Sequence, residues 1–124
     1  MKANIIISIG SLNAALAIIL GAFAAHGLKG QLDAYSLDVF HTAVDFHFWQ
    51  AIGLKLVGLL TRLYSDKNFN PAMWAMLEGI LLFCGSLYLL SITGIKWLGA
   101  STPFGGMRFI FAWCWMAWKL FKAS

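Results

Sequence analysis

From Ile5 to Ala25 the chain runs 21 residues without a charged side chain. An α-helix rises 1.5 Å per residue, so about 20 apolar residues cross the roughly 30 Å of bilayer hydrocarbon. Lys2 ahead of the run, and Ala22-Phe23-Ala24 within it, also suit a secretory signal. Such signals have an apolar core of about 7–15 residues, however, and here further apolar segments follow. The expectation is an uncleaved membrane-spanning helix over about residues 4–25.

The rest of the chain has the same character. Of 124 residues, 60% are hydrophobic and 11% charged, against about 25% charged in soluble domains. A soluble fold of this size could not hide that much apolar surface, so the bilayer acts as solvent. There is room for one domain, residues 1–124. The net charge of +4 contains no basic run, which suits membrane-helix flanks and argues against a nucleic-acid partner. Six Trp and ten Phe suit interfacial belts. Cys84 and Cys114 both fall mid-segment, where they read as small buried side chains rather than a disulfide framework.

Gly27 to Gly30 break the first segment. Leu32, Tyr35, Val39 and Phe40 then recur at helical spacing among charges, the pattern of a short amphipathic helix lying in the interface over about 31–41. A second span follows over about 42–61, a polar connection from Arg62 to Asn70, and a third span over about 73–95 with Pro71 at its start. Thr102 is placed to cap the fourth span, about 103–121, with Pro103 in its first position. The fold class is therefore all-α: four transmembrane helices in a compact bundle, with one interfacial helix. Lys2, Arg62, Lys67, Lys119 and Lys122 fall on one side, and Lys29, Lys96 and Arg108 on the other. That bias favours both termini of this multi-pass chain in the cytoplasm.

Charges within spans are costly, so each needs a partner. On the first helix Asn4, Ser8, Ser11, Ala15, Ala22 and His26 share one arc, and Gly10, Ala14, Ala17 and Gly21 form an adjacent small-residue face. Small faces allow close helix approach and offer a surface for homo-oligomer formation. Lys55 and Glu78 come to similar depth from the same membrane side, which predicts a Lys55–Glu78 ion pair with Ser8 and Ser11 as hydroxyl partners. A second polar cluster gathers toward the other side: His26, His41, His47, Gln50, Tyr88 and Arg108. Asp45 points away from His47 and is placed to meet Arg108 or the interfacial helix. His26 and His47 are candidates for a metal, haem or quinone site, but His41 and His47 lie six apart, not on one helix face. The favoured reading is a hydrogen-bonded polar network with no cofactor. There is no phosphate loop, no Ser-His-Asp grouping and no HExxH, so no catalytic residue is assigned. Gly105-Gly106 reads as a close-packing site.

Three segments carry a resemblance: GAFAAHGLKG (Gly21 to Gly30), FCGSLYLLSITG (Phe83 to Gly94) and TPFGGMRFIFAW (Thr102 to Trp113). In their order and spacing the chain resembles domain-of-unknown-function family 423, the YgdD-type small bacterial membrane proteins with eukaryotic relatives. The resemblance implies a four-helix inner-membrane protein. It matches His26 to the family's histidine at the end of the first helix. It also matches Gly85, Ser86 and Tyr88 to a GSLY segment, and Thr102, Pro103, Gly105 and Gly106 to a TPxGG turn. Where the family's second helix reads roughly YQxxH, this chain reads Phe46-His47-Phe48-Trp49-Gln50, so His and Gln are exchanged on one face and a tyrosine hydroxyl is missing.

The leading expectation is a non-enzymatic membrane bundle that supports membrane integrity or a partner complex, in contact with membrane lipid. The alternatives are an oligomeric transporter or channel subunit, motivated by inward polar stripes, and a metal, haem or quinone protein using His26 and His47.

Overall fold

The computed structural model describes residues 1–123, which form four helices and no strand. Helix α1 is Ala3–His26, α2 is Ala34–Leu63, α3 is Asn70–Thr93 and α4 is Thr102–Ala123. Two of them, α1 and α3, are long and apolar enough to cross a membrane, with mean hydropathies of 2.2 and 1.9.

Local chemistry sets the boundaries. α1 ends where Gly27 and Leu28 both turn their N–H groups back to the Phe23 carbonyl, and Gly30 follows at φ +86°, a left-handed turn that costs glycine little. Asp33 then caps α2, its carboxylate accepting from the Ser36 N–H at 2.7 Å. The separate interfacial helix expected over 31–41 does not exist as such. Residues 34–41 are the first turns of α2, which is 30 residues long in all; neither glycine nor proline separates them from the span that follows. Pro71 sits in the first turn of α3. At the far end Gly94, at φ +72°, donates to the Leu90 carbonyl and stops the helix. A 3₁₀ turn, Lys96–Ser101, leads into α4.

α3 is not uniform. Ile80–Cys84 form a π-helical turn, closed by the Gly85 N–H on the Ile80 carbonyl. Such turns are rare and insert one extra residue into a helix. This one lies where α3 meets α4 most closely.

The packing follows heptad-like spacing. Ile6, Gly10, Ala17 and Ala24 are the buried residues of α1. On α2 they include Phe40, Ala43, His47, Gln50, Leu54 and Val57. Spacings of three and four place each set on one stripe, and α1 packs mainly against α2 along these stripes. Approach is close because Gly10 lacks a side chain: a Cβ there would lie 2.9 Å from the Ala51 carbonyl oxygen and 2.8 Å from Lys55 Cγ. α3 packs against both α2 and α4. Ile6, Leu54, Val57, Phe69, Met73, Met76 and Ala112 build one core, at the end of the bundle where Trp115 Nε1 donates to the Asn68 carbonyl and Arg62 to Asn4 Oδ1. Toward the other end Phe46, Phe83 and Phe109 cluster, with ring centroids 4.6 to 6.4 Å apart.

The exterior is apolar. Leu12 on α1, Trp49 on α2, Leu81 on α3 and Ile110 on α4 are 71%, 67%, 72% and 66% exposed. Among the described residues the buried polar ones are His47, Gln50, Ser86 and Ser91. Large exposed apolar surface of this kind marks a non-aqueous or protein-covered environment.

Candidate functional site

His47, near the middle of α2, holds the interior polar cluster together. Its Nε2 lies 3.0 Å from Asn13 Oδ1 on α1, and its Nδ1 lies 3.0 Å from the Tyr88 hydroxyl on α3. Asn13 Nδ2 donates to the Ile9 carbonyl at 2.9 Å, which leaves Oδ1 as the acceptor facing the ring. His47 therefore donates through Nε2, and in the neutral imidazole Nδ1 must accept from the Tyr88 O–H. One side chain thus ties α1, α2 and α3 together. Tyr88 is also held by Phe40, at a 5.0 Å ring separation.

One turn along α2, Gln50 Oε1 accepts from Trp113 Nε1 of α4 at 2.9 Å. His47 and Gln50 are three apart and face the same side of α2, so together they contact all three neighbouring helices. At the end of the bundle away from Asn68, Ser86 Oγ donates to the Phe83 carbonyl. Its oxygen then accepts from the Thr102 hydroxyl, 2.9 Å away. Thr102 joins α4 to α3 in this way rather than closing its own first turn.

The glycines of the third motif do different things. A Cβ on Gly105 would fall 2.4 Å from the Phe83 backbone nitrogen, whereas one on Gly106 would have 3.7 Å to the Phe83 ring. Gly105 is thus the contact point between α4 and the π turn. Gly79, not expected as a close-packing glycine, is the reciprocal partner: its Cβ would lie 3.1 Å from the Gly105 carbonyl oxygen. Gly85 makes no tight approach and instead closes the π turn. Pro103 is exposed in the first turn of α4.

Several expected contacts are replaced by others. Glu78 does not pair with Lys55; its Oε1 accepts from Arg108 Nε at 2.9 Å. Arg108 reaches it because α4 packs on α3, while the Lys55 stem runs along Gly10 of α1, on the other side of α2. Lys55 has no ion-pair partner among the described residues. Ser8 and Ser11 bond back to the carbonyls of Asn4 and Ile7 in their own helix, the common recourse of hydroxyls within apolar helices. The polar arc of α1 is not its inward face, since Asn4, Ser8, Ala15, Ala22 and His26 are all exposed. Asp45 is exposed and does not meet Arg108. Of the two cysteines, Cys84 is buried and Cys114 exposed.

The histidines do not converge. His26 and His41 are exposed, and both ring nitrogens of His47 are already engaged. Among the described residues no group of three His, Cys, Asp or Glu side chains could hold a metal ion. The residues missed from the sequence are Asn13 and Trp113, the partners of His47 and Gln50. Asn13 could have been found: it continues the Ile6, Gly10, Ala17, Ala24 stripe.

Outside the apolar segments, the Asp33 carboxyl is held below the ordinary carboxylate range by the Ser36 backbone N–H and, next, by the Ser36 hydroxyl. At the end of α4, Lys119 lies 5.1 and 4.9 Å from the Trp115 and Trp118 ring centres, and Lys122 lies 4.4 Å from that of Trp118. This arrangement of ammonium over indole is typical of an interfacial anchor.

Comparison with known proteins adds the following. The family model described as "Protein of unknown function (DUF423)" matches residues 20–106. The UPF0382 membrane protein YwdK of Bacillus subtilis is 47% identical over 111 residues, 89% of this chain and 90% of that protein. UPF0382 membrane protein SAB0533 of Staphylococcus aureus is 39% identical, over 96% of this chain and 97% of its own. UPF0382 membrane protein SERP0230 of Staphylococcus epidermidis is 40% identical, over 89% of each. No solved structure matches.

Proposed function

The chain belongs to the DUF423 family, and from that premise we propose that it is a multi-pass inner-membrane protein acting as a scaffold rather than an enzyme. All four helices cross the bilayer, with both termini in the cytoplasm. The observation that carries this reading is the inverted polarity of the bundle: large apolar side chains face outward on every helix, while His47 and Gln50, 2% and 7% exposed, bond to the other three helices inside. Hydrocarbon cannot satisfy polar groups, so a membrane bundle satisfies them internally. Here those groups bond to one another, which supports a role in fixing helix packing.

The charges of α2 and α4 fit this reading. Lys119 and Lys122 sit at an aromatic end, and Arg108 is paired with Glu78. The Lys55 stem lies along α1, and its ammonium reaches toward the nearer surface by snorkelling. The Glu78–Arg108 pair is the feature that supports a partner. Its side chains are 55% and 40% exposed on the outer face of α3 and α4, although charges within spans ordinarily face protein or water. A second copy of the chain, related by a two-fold axis, covers this face and lets each Glu78 meet the other's Arg108.

Topology is the test. Single cysteines are placed at Gln31, Asp66, Leu98 and Lys122 in a background where Cys84 and Cys114 are alanine. A membrane-impermeant maleimide added to intact cells should label positions 31 and 98 only, with 66 and 122 reacting after lysis. Labelling of 66 or 122 from outside, or of only one of 31 and 98, would overturn the four-span arrangement.

A further inference from the structure

Between α1 and α2 lies an open groove of about 320 Å³ on the bundle surface. Ala17 and Gly21 of α1, the former fully buried, border it on one side, and Asp45, Phe48 and Trp49 of α2 on the other. Asp45 and Trp49 are four apart on one helix face, and both are exposed. Among the described residues no Lys, Arg or His pairs with Asp45, including His41 one turn before it, and no hydrogen-bond donor meets its carboxylate. The groove therefore brings together an uncompensated anion, an indole and a second aromatic ring. That is the chemistry which binds an organic ammonium group: Coulomb attraction from one side and cation–π attraction from the other.

Depth points to the same ligand. Asp45 is 18 residues from Leu63 at the far end of α2, or about 27 Å along the helix, against about 30 Å of hydrocarbon. With Leu63 at one membrane boundary, Asp45 stands just inside the other, at the level of lipid headgroups. This step rests on α2 crossing the bilayer. A carboxylate there faces the headgroup layer, where a cationic group can approach and pair with it.

We infer that the Asp45–Trp49 groove is a binding site for an organic ammonium group, entered laterally from the headgroup layer. The same chemistry could be presented by an amine-bearing lipid or by a free alkylammonium ion. Asp45 then pairs with the ammonium and Trp49, 67% exposed, lies beside it.

The experiment uses the full chain in nanodiscs. In one arm, phosphatidylglycerol discs are compared with discs containing phosphatidylethanolamine, and native mass spectrometry reads the retained lipid. In the other, tetraethylammonium is titrated into pure phosphatidylglycerol discs and the thermal unfolding midpoint is followed. The expected result is preferential retention of phosphatidylethanolamine, or a saturable rise in midpoint with tetraethylammonium, according to the source of the ammonium group. Asp45→Asn and Trp49→Leu should each weaken the effect by about tenfold or more, equivalent to about 1.4 kcal/mol, and Trp49→Phe by less. Both positions are exposed, so these variants are expected to fold, and unchanged midpoints without ligand verify it. If neither arm shows ammonium selectivity, or if the selectivity survives both Asp45→Asn and Trp49→Leu, the site does not exist. The cysteine-labelling pattern, read separately, shows whether the spanning arrangement itself has failed.

Discussion

His47 donates from Nε2 to Asn13 Oδ1 across 3.0 Å, a buried polar contact between α2 and the α1 helix packed against it. α1 packs mainly on α2 through small residues, and the contact fixes its rotation and its vertical register against the other helices. Dispersion between small residues would permit several such registers, whereas a buried donor meeting a buried acceptor permits one.

His47→Ala and Asn13→Ala should therefore each destabilise the fold by about 1–3 kcal/mol, because each leaves a polar partner unsatisfied. The double variant should cost less than the sum, with a coupling near the ~0.6 kcal/mol average for interhelical hydrogen bonds in membranes and below about 1.7. Reversible unfolding of the four proteins in mixed micelles measures the cycle. Strict additivity would mean that the bond carries no energy.

The Glu78–Arg108 pair yields a prediction of the opposite kind. Removing Glu78 alone strands a guanidinium against hydrocarbon, so Glu78→Ala should destabilise more than Glu78→Leu combined with Arg108→Leu, by about 1 kcal/mol or more. The double apolar variant should also shift the purified protein from dimer to monomer in light scattering if a second copy covers this face. Lys55→Met should show no coupling with Glu78→Ala. A strong coupling there would restore the Lys55–Glu78 pair that depth alone suggested.

Gly105 and Gly106 are adjacent and should behave differently. At Gly105 a methyl group collides with the Phe83 backbone, 2.4 Å away, which cannot swing aside as a flexible side-chain end could. Gly105→Ala should cost about 1–3 kcal/mol by overpacking. At Gly106 the nearest atoms are 3.7 Å away, so Gly106→Ala should be neutral or stabilising, by up to the ~1 kcal/mol helix-propensity difference. Thermal unfolding in a single detergent ranks the two, and equal losses would contradict the close approach of α4 to the π turn.

What the sequence revealed depends on the range of the cause. Helix limits were set by nearby residues: Gly27 to Gly30, Pro71 and Pro103 marked boundaries without knowledge of the fold, whereas Asp33 and Gly94, equally local signals, were placed inside predicted helices, and Thr102 was read as a cap but begins α4 and bonds to Ser86. The small face of α1 also emerged, because Gly10 and Ala17 announce close packing by size alone. Partner choice did not. Glu78 shares a depth with Lys55, yet which helix flanks α3 on that side depends on the α3–α4 crossing at Gly79 and Gly105. The π turn shifts the rest of α3 relative to that crossing, and no local residue type announces it. The wheel also misled on α1: counting polar side chains picked out Ser8 and His26, whose hydroxyl and imidazole are outside, while the stripe Ile6, Gly10, Asn13, Ala17, Ala24 marked the buried face through its small and apolar members.

Asp33 supplies the pH dependence. Its carboxyl is held low in the folded chain by the Ser36 N–H and hydroxyl, whereas in an unfolded chain it titrates near 3.9. A group whose folded pKa is depressed adds stability above its unfolded pKa and loses it as pH falls through the folded value. The first turn of α2, Ala34 to Leu37, should thus be protected at pH 5 to 7 and fray below about pH 4. The rest of α2, tied by His47 and Gln50, should stay protected over the same interval. Amide hydrogen exchange, corrected for its intrinsic pH dependence, reads this directly at Ser36 and Leu37. In Asp33→Ala the first turn should be frayed at every pH and the pH dependence absent; in Asp33→Asn the cap should persist, also without pH dependence. If Asp33→Ala keeps the wild-type profile, the acid sensitivity of this turn has another source.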